Sequence, residues 1–182
     1  GKVARSKKDR TEQMKKFGIQ IDSLSDLIAF GVLPACIGIA MIRRGLEGTT
    51  LPNFRFVSVG RETIVYQVIS IMIAIFYVLV AMIRLAYFNV LEEEDENRDE
   101  SGQKVYTGLP VTSAALVFPA VIHIFVKADL TLLYFGVMIV MGFLFISKIQ
   151  IRKPENRQIA LMILLGIVEF AALAIVLACV RR

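Results

Sequence analysis

The residues in this chain best suited to chemistry are two carboxylates, Asp22 and Asp26, in the stretch FGIQIDSLSDLIAFG, residues 17–31. They stand four positions apart at the opening of a long apolar segment. On a helix that spacing puts both on one face, one turn apart, with Gly18 a further turn before them. A carboxylate in a transmembrane helix costs about 2.5–3.5 kcal/mol at the bilayer centre and less near the interface. Two on one face also repel each other. A divalent cation or a shared proton relieves that repulsion. Hard oxygen donors facing a polar cavity suit Mg2+ or Mn2+, ions that bridge carboxylates to substrate phosphates. Gly18 leaves room for a ligand to approach the backbone. A plainer role is open to Asp22: at a helix start it caps free amides and suits the helix dipole. Capping does not explain Asp26, a turn further in.

The elements that must position this pair are apolar. The chain has 182 residues, 56% of them hydrophobic, and a mean hydropathy of +0.65. Crossing a bilayer takes about 20 residues of helix. Residues 64–83 and 130–147 are long apolar runs without a charge, and 27–42, 110–126 and 158–180 are comparable. These runs predict an all-α fold, a polytopic membrane helix bundle with about five transmembrane helices, and residues 1–182 read as one membrane domain. Strand patterns of alternating polarity are absent, which argues against a β-barrel. The first helix is expected from about Asp22 to Arg43, and the second ends near RLAYFNV, 84–90. GLP, 108–110, opens the third, KADLT, 127–131, turns into the fourth, and 148–158 leads to the fifth. Residues 91–107 read as an acidic, solvated cytoplasmic loop, because the like charges of EEEDENRDESGQ resist compaction.

Lys and Arg placement orients the helices. The ends formed by 1–21, 84–108 and 148–158 carry 14 of these residues, against 7 on the opposite ends. The first set is therefore expected on the cytoplasmic side. The net charge of +5 reflects this bias; basic residues flank helices and no nucleic-acid recognition module is present. Cys36 and Cys179 lie within apolar runs and read as small hydrophobic side chains. His123 reads as a structural histidine, and Glu169 as a group paired with a neighbouring helix, lying at an oligomer contact, or protonated. The chain opens on Gly1 in a charged segment, so residues upstream are expected to be missing.

GKVAR, 1–5, followed by FGIQIDSLSD, 17–26, resembles the signature of the CDP-alcohol phosphotransferases: D-x-x-D-G-x-x-A-R, a spacer, then G-x-x-x-D-x-x-x-D. Gly1, Ala4, Arg5, Gly18, Asp22 and Asp26 occur in that order. RLAYFNV, a loop and GLP, together with DSLSDLIAFGVLPA, resemble the bacterial phosphatidylserine synthase branch. The resemblance covers most of the chain. The first two aspartates of the signature would precede Gly1, so the domain reads as N-terminally truncated, and a fragment lacking them is not expected to turn over. The spacer between Arg5 and Gly18 holds 12 residues, longer than usual, and Tyr87 stands where this branch often has a second arginine.

The resemblance implies a mechanism. Four aspartates would hold two divalent cations, Mg2+ or Mn2+, that grip the diphosphate of CDP-diacylglycerol. Asp22 would be a metal ligand. Asp26 would be the general base, also touching metal. Gly1, Ala4, Arg5 and Gly18 would line the CDP site. Arg84 would serve the acceptor or a phosphate, and Asn89 the same role more weakly; the plainer readings are that Arg84 snorkels to the interface and Asn89 caps a helix end. The acceptor in this branch is L-serine, giving phosphatidylserine and CMP, with glycerol 3-phosphate or an inositol phosphate as alternatives. Such an enzyme is a multi-pass protein of the cell membrane, works at the cytoplasmic face, takes membrane lipid as partner and substrate, and belongs to a family in which homodimers are common. A different class is a cation- or proton-coupled transporter with Asp22, Asp26 and Glu169 as ion sites. The GxxAR match has no place in that reading.

Overall fold

The structure is a computed structural model that describes residues 11–46, 61–93, 105–125, 131–152 and 156–180. Gly1, Ala4, Arg5 and most of the acidic loop lie outside the described residues. Six α-helices dominate. A first continuous rod comprises α1 (Glu12–Asp26), a π-helical segment (Leu27–Val32) and α2 (Leu33–Leu46). Then come α3 (Arg61–Glu93), a 3-10 turn (Val111–Ser113) leading into α4 (Ala114–Phe125), α5 (Thr131–Ile146) and α6 (Asn156–Val180).

The first helix starts ten residues earlier than expected from its apolar run, at Glu12 rather than Asp22. Thr11 supplies the reason: its backbone is extended, and its Oγ1 accepts from the amide of Met14 at 3.2 Å. A threonine cap followed by charged helix formers nucleates a polar first stretch, and Lys15 pairs with Glu12 one turn back. Asp22 is therefore not an N-cap, and that plainer role falls away.

Two short strands add a ribbon to the otherwise helical fold. β1 (Val105–Thr107) pairs antiparallel with β2 (Gln150–Arg152), with Tyr106 opposite Ile151. The ribbon joins the segment after α3 to the segment after α5. It continues as a backbone stitch: the Gly108 amide donates to the Ile149 carbonyl at 2.7 Å, and the Leu109 amide to the Leu144 carbonyl at 3.1 Å. Gly108 sits at φ +80, the left-handed region that glycine occupies without penalty. A side chain there would meet the carbonyl oxygens of Phe145 and Ser147. Two of the Lys/Arg-rich segments thus meet at one end of the bundle.

The core lies where α3 packs on α5, with α2 and α4 alongside. Tyr77, Tyr134, Phe135, Met138 and Phe145 are fully enclosed. Tyr77 meets Phe118 edge-on at 5.5 Å, and Tyr134 meets Phe118 at 5.1 Å, separations at which tilted aromatic pairs attract. Gly38 lets α2 close on α5, because a Cβ there would lie 3.0 Å from Tyr134. Outside this core the helices expose large apolar side chains such as Ile69, Met72, Ile75, Phe143, Leu164 and Phe170. Among the described residues two stretches, Glu12–Ile42 and Ile64–Leu91, are long and apolar enough to cross a bilayer, and Val111–Ile122, Thr131–Ile146 and Leu161–Ala172 are shorter apolar helices. An apolar exterior around an aromatic core is the pattern of a helical membrane protein.

Candidate active site

Gly18, Asp22 and Asp26 fall on one stripe of α1, as their spacing requires. Asp22 is exposed, while Gly18 and Asp26 are half-buried. Between the carboxylates, Ser23 turns toward α3, where Asn89 Nδ2 donates to Ser23 Oγ at 2.8 Å. Ser25 returns its hydroxyl to the Ile21 carbonyl at 2.8 Å and so stays within its own helix. Asn89 does not cap a helix end, since α3 continues to Glu93. It anchors the carboxylate-bearing helix. Nothing local in the sequence marks this contact, which joins residues 66 positions apart.

Arg84 does not take the plainer of its two expected roles. It is 5% exposed, so it does not snorkel to an interface. Its Nε donates to the Leu109 carbonyl at 3.3 Å and its Nη2 to the Gly108 carbonyl at 3.4 Å. The Phe88 ring lies 5.8 Å from the guanidinium carbon, within cation–π range. Nη1 has no hydrogen-bond partner among the described residues. Arg84 and Asn89 are five residues apart, which places them about 140° apart around the helix. Arg84 therefore faces the GLP turn while Asn89 faces α1. A cavity of about 270 Å³ beside Arg84 is walled by Tyr87, Phe145, Ser147 and Lys148, with no residue of α1 in its lining.

Two buried tyrosines reach the rod just beyond Asp26. Tyr77 Oη donates to the Phe30 carbonyl at 2.7 Å, and Tyr134 Oη to the Pro34 carbonyl at 2.8 Å. Sequence reading missed both. The available signal was Pro34, whose missing amide leaves a carbonyl in the preceding turn without its helical donor.

As a metal site, the described residues contribute one part. Among them no three Asp, Glu, His or Cys side chains gather. Asp22 and Asp26 offer two hard oxygen donors on one half-open face. That donor type fits Mg2+ or Mn2+ and leaves coordination positions for phosphate oxygens and water. Glu169 is half-buried on α6, whose packing is against α4. The backbone at His123 is helical. Cys36 is exposed and unpaired.

Comparison with known proteins gives this geometry its family. The family model for CDP-alcohol phosphatidyltransferases matches residues 1–180. The chain belongs to the CDP-alcohol phosphatidyltransferase family. It is 26% identical over 164 residues to a CDP-diacylglycerol–serine O-phosphatidyltransferase of Helicobacter pylori (strain J99), covering 87% of this chain and 56% of the relative. It is 34% identical over 119 residues to the protein of that name from Saccharomyces cerevisiae, covering 64% of this chain and 34% of the relative. An archaetidylserine synthase of Methanothermobacter thermautotrophicus is 29% identical over 140 residues, or 77% of this chain and 47% of the relative. The chain thus spans about half the length, or less, of these relatives. No solved structure gives a significant match.

Proposed function

We propose that this chain carries the catalytic membrane domain of a phosphatidylserine-forming enzyme, transferring a phosphatidyl group from CDP-diacylglycerol to L-serine with release of CMP. The observation that carries the reading is the Asp22–Asp26 pair, one turn apart on a half-open helix face, in a chain matched to the family over residues 1–180. The relatives' names supply serine as the acceptor. Other acceptors, glycerol 3-phosphate or an inositol phosphate, keep the same chemistry.

In this reading Asp22 and Asp26 hold a divalent ion, which when bound neutralises charge on the substrate diphosphate. Asp26 takes the proton from the serine hydroxyl. The serine oxygen forms a bond to the lipid-bearing phosphorus, the bond from that phosphorus to the CMP oxygen breaks, and CMP leaves with the electron pair. Asn89 keeps α1 facing the acceptor through Ser23. Gly18 admits the nucleotide close to the backbone, and Gly1, Ala4 and Arg5 complete its site. Arg84 is assigned to the scaffold of the GLP turn rather than to the acceptor. The helices cross the bilayer about five times, in a multi-pass protein of the cell membrane, with the carboxylates at the cytoplasmic mouth, where water-soluble serine and CMP have access.

The test is CMP release by the chain with its natural upstream segment, in detergent micelles with CDP-diacylglycerol and Mg2+ or Mn2+. Serine-dependent release that stops in chelator and in Asp26→Asn, with folding retained, is the expected result. Release with another acceptor alone would refute the serine assignment, and substrate-coupled ion flux in liposomes without CMP would refute the enzyme reading.

A further inference from the structure

The π-helical segment sits between the carboxylates and the core, and its effect is geometric. Buried positions along α2 and the end of the π segment follow a helical stripe: Gly31, Pro34, Ala35, Gly38 and Ile42. Extended backward without interruption, that stripe would carry Leu24 to within about 20° of the buried face and Asp26 to about 140° from it. The structure has the opposite arrangement. Leu24 is 56% exposed and Ile28 63% exposed, while Ser23 and Asp26 are half-buried. The π segment accounts for the reversal. The amide of Leu33 donates to the Ile28 carbonyl, five residues back, so the rod contains one inserted residue. One residue turns everything upstream by about 100°. Asp26 then lies about 40° from the buried face and Ser23 about 20°, in agreement with their burial.

A π insertion is disfavoured against an α-helix unless something holds it. Residue 34 is decisive. In an α register its amide would bond to the Phe30 carbonyl, and a proline has none. The Phe30 carbonyl is instead taken by the Tyr77 hydroxyl, from a side chain fully enclosed in the core. We propose that Tyr77 and Pro34 form a register lock: together they hold the inserted residue that turns the Ser23–Asp26 face of α1 toward α3. Tyr77 is then a positioning residue, acting on the carboxylates from a different helix without touching substrate. Its importance for catalysis rests on the reading of Asp22 and Asp26 as the acidic groups of the transferase.

The experiment reads the register directly. In a chain with Cys36→Ala and Cys179→Ala, two cysteine pairs are made: Ser23→Cys with Asn89→Cys, and Leu24→Cys with Asn89→Cys. Each is treated with a short thiol crosslinker, and intramolecular product is measured by mass spectrometry. With Tyr77 and Pro34 intact, the 23–89 pair crosslinks and the 24–89 pair does not. Tyr77→Phe keeps the ring packing and removes the hydroxyl, and Tyr77→Phe with Pro34→Ala also restores the amide that the α register needs. The expected result is a swap toward the 24–89 pair, partial in the first variant and at least about tenfold in the second, the range set by one buried carbonyl losing its donor. A merely loosened core would lower both yields without exchanging them. Equal 23–89 crosslinking in all three proteins, or loss of both products without a swap, overturns the lock. Serine-dependent CMP release, measured on the same substitutions with native Ser23 and Asn89, is expected to fall as the 23–89 product falls. If the variants show the swap but the parent releases no CMP with any acceptor, the enzyme reading is refuted and the register lock stands.

Discussion

Gly108→Ala is the substitution whose effect follows most directly from the geometry. The residue has φ +80, where an L side chain costs about 1–2 kcal/mol. The added Cβ would also lie 2.7 Å from the Phe145 carbonyl oxygen and 2.8 Å from that of Ser147. Both neighbours are backbone at the end of α5, so neither can swing aside as a side chain would. Relief requires the turn to move, which stretches the 2.7 Å bond to Ile149 and the Arg84 contacts to the same turn. Each such bond is worth about 0.5–1.5 kcal/mol net. The expected loss is therefore about 2–4 kcal/mol, the sum of the dihedral penalty and one or two weakened bonds. Thermal unfolding in detergent, followed by circular dichroism, is the assay. Gly136→Ala is the matched control: it lies within α5 and a Cβ there meets nothing within 4 Å. Alanine in a helix interior gains about 0.5–1 kcal/mol over glycine. The two variants should move the midpoint in opposite directions. A Gly108→Ala protein as stable as the parent would refute the reasoning.

Asn89→Ala and Ser23→Ala each break the same hydrogen bond, so each should cost about 1 kcal/mol and the double variant little more, as a double-mutant cycle on melting would show. Arg84→Lys loses the fork that reaches two carbonyls at once; stability should fall by about 1–3 kcal/mol while the KM for serine stays unchanged, and a raised KM would return Arg84 to the acceptor site. Asp22→Asn should raise the Mg2+ or Mn2+ concentration needed for half-maximal CMP release at least about tenfold, with the melting midpoint held within a degree or two because Asp22 is exposed.

Much of this molecule could be read from its sequence because helix length and charge placement leave strong marks. The apolar runs located α2 to α6, and the four-residue spacing of Asp22 and Asp26 placed them on one face. The misses have physical causes. The start at Glu12 depends on a threonine cap in a polar stretch, where hydropathy gives no signal. β1 and β2 are three residues each, too short for an alternating pattern. The Asn89–Ser23 and Tyr77–Phe30 bonds join distant parts of the chain, and local spacing carries no information about them. Arg84 read as an acceptor- or phosphate-binding cation, with anchoring at the interface as the plainer role; its burial depends on two carbonyls supplied by a turn some 25 residues later.

The ribbon between β1 and β2 also imposes an order on biosynthesis. Val105 finds its partner only when Arg152 has been made, after α4 and α5 have both been synthesised. Until then the edge of β1 stays unpaired. Closing the ribbon is thus a late checkpoint. It can form only if α4 and α5 fold back so that the chain returns to the end of the bundle it left. A molecule in which one of those helices failed to fold back would leave the ribbon open and present a raw strand edge for quality control to recognise.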